Sequence, residues 1–155
     1  MTTTTINAPA SHVPTIAASG IAVSAVLTAL GTFWDSPFGT EVPNRTPHDT
    51  SMGAMLSDYG SVLAMIAAAA AVVFGLVVRG AGRQRPGRRS AVLGVLGLLS
   101  TAAFWSGLPV VLVAGSLAAA LIERDVAGRF RAGGRTALVL APLTVGLAVW
   151  LAITG

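Results

Sequence analysis

The chain has 155 residues, of which 54% are hydrophobic and only 10% are charged, with a formal net charge of +4. Soluble domains carry about 25% charged residues, so the charge here is too sparse to wet the surface of a soluble protein of this size. The absence of cysteine excludes disulfides, thiolate catalysis and Cys-ligated metals.

All ten basic residues are arginine. Together with the abundance of Ala, Gly and Val, this points to a GC-rich bacterial genome of actinobacterial type. The apolar residues fall in blocks, at 15–34, 59–78, 90–122 and 136–155. Each block reaches the roughly 20 residues that cross a bilayer core of about 30 Å as a helix. The expected fold class is therefore all-α, a polytopic transmembrane helix bundle. The expected organisation is a tail, 1–14, followed by a single transmembrane helical domain, 15–155.

In chain order, residues 1–14 are Thr-rich, contain two prolines and carry no side-chain charge, and they read as a disordered tail. No Lys or Arg precedes the first apolar block, so that block reads as a retained helix rather than a cleaved signal peptide. The first span is expected at about 15–34, ending on Trp34 at the interface. A proline-rich, acidic loop over 35–58 follows, with "MGAML" at 52–56 either as an interfacial patch or as the start of the second span. That second span is expected at about 59–78.

The stretch "RGAGRQRPGRR", 79–89, holds Arg79, Arg83, Arg85, Arg88 and Arg89 and no acid. Beyond it, 90–122 would be about 50 Å long as one helix, roughly 20 Å more than a bilayer accommodates by ordinary tilt. "FWSGLP", 104–109, supplies turn residues in its middle, and Pro109 suits the first turn of a new helix. The segment therefore reads as a hairpin of spans at about 89–105 and 108–123. The stretch "ERDVAGRFRAGGR", 123–135, separates it from a last span at about 136–154, where Pro142 should kink or loosen the helix.

Charge supports the hairpin. Cytoplasmic loops carry excess Lys and Arg, and five spans place nine of the ten arginines on one side. This threading puts the chain in a bacterial plasma membrane with the N-terminus cytoplasmic and the C-terminus outside. Four spans, with 90–122 as one helix, is the alternative.

Helices in lipid associate through small residues. The helix-packing candidates are Gly20, Ser24 and Thr28 on the first span, Ala68 and Gly75 on the second, and Gly94 and Gly97 on the third. Arg79, Arg83, Arg85, Arg88, Arg89, Arg129, Arg131 and Arg135 read as topology determinants that contact anionic lipid headgroups. Without interleaved aromatics or a recognition fold they do not read as a nucleic-acid site. His48 and Asp49 in the outer loop are minor site candidates. No metal-binding or nucleophile motif supports them, and no cofactor is expected. Every ionisable residue near a span, Asp58, Arg79, Glu123 and Arg124, is placed at a helix end.

The function class that fits best is a non-enzymatic accessory or partner-binding membrane subunit. Its partners would be the bilayer, anionic headgroups, and a membrane protein or a second copy of the chain. A small oligomeric transporter or channel is the first alternative, and an enzyme using the outer loop is the second.

Overall fold

The computed structural model describes residues 12–33, 51–81 and 85–154. Within them the chain is an all-α bundle of five helices. Helix α1 is Val13–Phe33. Helix α2 is Met52–Val72, continued by a wider π-helical stretch, Val73–Val78, and a last turn, Arg79–Ala81. Helix α3 is Pro86–Leu99, extended by tighter 3-10 turns over Ser100–Ser106 with a kink at Ala103. Helix α4 is Leu108–Ala127 and α5 is Ala132–Thr154. Three segments are long and apolar enough to cross a membrane: Val13–Leu30, Met52–Val78 and Ala132–Thr154. Helix α4, with 20 residues, measures about 30 Å, but its last turns carry Glu123, Arg124 and Asp125.

The segment expected to turn back on itself does so. Helix α3 runs through its 3-10 extension to Ser106, Gly107 takes a left-handed conformation (φ 67°), and α4 starts at Leu108 with Pro109 in its first turn. Ser90 then lies opposite Ser116, and Gly97 packs against Val113, so α3 and α4 are antiparallel. The remaining contacts orient the other helices. Gly20 of α1 abuts Ala114, and Ser24 reaches Gly107, which makes α1 antiparallel to α4. Ile66 and Val73 of α2 meet Gly107 and Gly115, so α2 is parallel to α4. Gly133 and Leu140 of α5 meet Gly87 and Gly94, so α5 is parallel to α3. The helices thus alternate in direction along the chain, and α4 is the hub that touches the other four.

The hub is built of small residues. Val111, Ala118 and Ala119 are fully buried, as are Gly115 and Ser116 beside them. Neighbours insert larger side chains into the notches this leaves: Ile66 over Gly107, and Val73 into Gly115. Polar clasps supplement the packing. The Ser90 hydroxyl donates to the Ser116 carbonyl at 3.0 Å, and the Ser116 hydroxyl donates back to the Ser90 carbonyl at 2.7 Å. Interhelical hydrogen bonds of this kind in lipid average about 0.6 kcal/mol and reach about 1.7. Ser90→Ala and Ser116→Ala are each expected to cost about 1 kcal/mol in reversible unfolding from mixed micelles, with the double variant near the sum because each removes a different bond.

Several boundaries differ from expectation, each for a local reason. Helix α1 takes in Val13 and Pro14, since a proline in the first turn forfeits no hydrogen bond. Helix α2 starts at Met52 rather than near Tyr59, so "MGAML" is helix. The Ser51 hydroxyl caps it by accepting from the Ala54 N–H at 3.3 Å. Tyr59, in the third turn, donates to the Ala25 carbonyl and stacks edge-on with Phe33, tying α1 to α2. Helix α5 runs through Pro142 as a single element, with Pro142 on its exposed face.

Candidate functional site

The described arginines gather at one end of the bundle. This end joins the last turn of α2, the start of α3, the end of α4 and the start of α5. Arg79, Arg85, Arg88, Arg124, Arg129, Arg131 and Arg135 are exposed there. Arg89 is half-buried and donates from Nη1 to the Val77 carbonyl at 2.8 Å. Val77 belongs to the π-helical stretch, whose shifted bonding pattern presents a carbonyl to a neighbouring helix. Arg124 pairs weakly with Asp125 at 3.8 Å and lies 5.7 Å from the Phe130 ring centroid. Both contacts are solvated and contribute little.

At the centre of this end sits Glu123. The sequence places it at a helix end, and it lies in the last turns of α4. What position along the chain does not disclose is its burial, to 5% exposure, between the starts of α3 and α5. Its Oε2 accepts from the Gly134 N–H at 2.8 Å. Its other oxygen lies against Gly87, where an added methyl would overlap the carboxylate. Gly133 in turn rests on the Gly87 backbone. Three glycines on two helices therefore make the space that one carboxylate fills. The N-terminal ends of α3 and α5 both present positive dipole ends to it, and each such contact is worth about 0.3–1 kcal/mol, more when partly buried.

Beside Glu123 is an open pocket of about 470 Å³. Arg85, Arg88 and Arg131 line it, with Pro86, Ala91 and Val126 among its apolar walls. Arg85 is the described non-glycine residue with positive φ (43°). It closes the turn before Pro86, and its carbonyl accepts from the Arg88 N–H at 3.1 Å. Such a backbone costs an L-residue on the order of 1 kcal/mol or more.

The other candidates fall in three groups. Gly20, Ser24, Gly94 and Gly97 are buried at helix contacts, and Thr28 is buried on α1. Ala68 and Gly75 lie on the exposed face of α2, which packs inward through Ile66, Ala70 and Val73 instead. Helix α4 already supplies the small residues at that contact, so α2 supplies the large ones. Arg83, His48 and Asp49 lie outside the described residues, as does Trp34. Sequence reasoning misses Glu123 as a buried group, although "AGG" at 132–134, nine residues beyond it, was the available signal. Consecutive glycines at a helix start mark a close approach of backbone to something.

Comparison with protein-family models, with curated proteins and with solved structures finds no match for this chain.

Proposed function

We propose that this is a small, non-enzymatic integral protein of a bacterial plasma membrane, acting as an accessory or partner-binding subunit. It crosses the bilayer five times, with the N-terminus in the cytoplasm and the C-terminus outside. Its arginine end lies in the cytoplasmic headgroup layer and contacts anionic lipid. One observation carries the reading: the two arginine-rich connections flanking the α3–α4 hairpin lie at the same end of the bundle. Positive charge gathered on one side of a membrane helix bundle marks the cytoplasmic side, and each arginine near an anionic surface contributes about 1 kcal/mol of attraction.

The packing around α4 supports a binding role. Its core positions among the described residues are filled by small side chains packed against the other helices. What the bundle presents outward is apolar helix surface, such as Leu76, Leu99 and Val139, suited to lipid, to a membrane-protein partner or to a second copy. Fusions at the C-terminus test the threading. Alkaline phosphatase joined after Gly155 should be active and a fluorescent protein there dark, and the reverse pattern overturns the five-span orientation. Mild-detergent extraction should co-purify a stoichiometric membrane partner, or a homo-oligomer, if the subunit reading is right.

A further inference from the structure

We infer that the pocket beside Glu123 is a binding site for a zwitterion that joins a phosphate to a primary ammonium, as in a phosphoethanolamine headgroup. The inference rests on the arginine end lying in the headgroup layer and names what that end selects.

The pocket is lined by two kinds of charge. Arg85, Arg88 and Arg131 supply guanidinium groups, whose forked donors match phosphate oxygens. Glu123 supplies the opposite charge from a buried position. An ionised carboxylate has about four acceptor sites, and among the described residues Glu123 receives the Gly134 N–H and forms no ion pair. Glu123 also lines the pocket, so the acceptor capacity that Gly134 leaves is open to whatever fills it.

A purely anionic headgroup would satisfy the arginines but face Glu123 with like charge. A quaternary ammonium would neutralise Glu123 but has no N–H to donate. A primary ammonium next to a phosphate satisfies both halves. The apolar walls at Ala91 and Val126, the latter exposed on α4, leave room for a lipid's glycerol and upper acyl carbons. Arg85 adds an independent observation. Its left-handed backbone would be cheaper with glycine, and the strain is retained where it holds a guanidinium at the pocket.

The test uses the full chain, purified in mild detergent and read by native mass spectrometry with phosphatidylethanolamine, phosphatidylglycerol and phosphatidylcholine at equal concentration. Phosphatidylethanolamine should be retained about tenfold over either of the others. Glu123→Gln keeps an oxygen for the Gly134 N–H but removes the charge, and should bring the ethanolamine-to-glycerol ratio close to unity. Arg85→Gly should leave thermal stability unchanged or raised, while lowering retention of both lipids about fivefold. Displacement by free O-phosphoethanolamine extends the site to the soluble zwitterion, and resistance to it assigns the site to the lipid; both results support the proposed chemistry. Equal retention of all three lipids by the wild type, or an unchanged ratio in Glu123→Gln, overturns it. If Glu123→Gln does not fold, Arg85→Gly decides, and unchanged lipid retention there also overturns it. The underlying reading fails differently: its failure appears as inverted fusion activity, whatever the lipid ratio.

Discussion

Alanine at Gly133 is expected to destabilise the bundle by about 3 kcal/mol, at the upper end of what overpacking a closed contact costs. The added methyl would land on the Gly87 carbonyl, carbon and Cα, all of them backbone. A flexible side chain can rotate away from such a clash; the first turn of another helix, Pro86–Leu99, cannot. Relief requires α3 and α5 to separate at the arginine end. Separation lengthens the 2.8 Å bond from Gly134 to Glu123 and opens the cradle in which the carboxylate is buried. The loss should therefore appear twice: as a lower unfolding midpoint in detergent, and as loss of lipid retention at the pocket. Gly146→Ala, farther along α5, is the control. Nothing lies within 4 Å of its added methyl, and alanine is the better helix former by up to about 1 kcal/mol. If Gly133→Ala is as mild as Gly146→Ala, the close approach of α3 to α5 does not hold the bundle together.

This contrast separates what the sequence discloses from what it hides. The hairpin is legible because helix length and bilayer thickness are fixed quantities, and 90–122 is too long for one crossing. Gly107 and Pro109 mark where it must turn, and the arginines on both sides agree. Those are one-dimensional signals of length, punctuation and charge. Contacts between helices are not one-dimensional. Helix α2 offers Ala64, Ala68, Ala71 and Gly75 at helical spacing, as plausible a small-residue face as any in the chain. Yet these four are exposed, and Ile66 and Val73 turn inward. A notch needs a knob, and only the partner, α4 with Gly107 and Gly115, decides which helix supplies which.

Glu123 is hidden for the same reason. On its own helix it begins the charged run Glu123-Arg124-Asp125, which reads as a solvated end, and Arg124 and Asp125 are indeed exposed. Burial of the first comes from elsewhere in the chain. Gly87 lies 36 residues before it and Gly134 eleven after. The site exists only where three helix ends meet, so no window along the chain contains it.

The second large effect is expected at the opposite end. Gly107→Ala should cost about 2–5 kcal/mol, as the sum of two separable terms. The first is backbone: Gly107 has φ 67°, a conformation that costs an L-residue about 1–2 kcal/mol. The second is packing: a methyl there would meet the Ser24 hydroxyl and the Ile66 side chain, adding about 1–3 kcal/mol. Both neighbours are buried, to 0% and 1% exposure, so neither has free space to move into. Ser24 is also committed, donating to the Gly107 carbonyl at 2.8 Å, and displacing it leaves that carbonyl only the longer 3.4 Å bond from the Val111 N–H. Gly128→Ala isolates the first term, because Gly128 has φ 68° and nothing within 4 Å of an added methyl. Unfolding titrations of the two variants should therefore differ by the packing term alone. Ser24→Ala in the Gly107→Ala background frees one oxygen's volume and should recover part of that difference. Equal costs for Gly107→Ala and Gly128→Ala would mean that α1 and α2 do not close on the hairpin turn. The turn would then be a loop tip rather than the junction through which α1, α2 and the α3–α4 hairpin are held together.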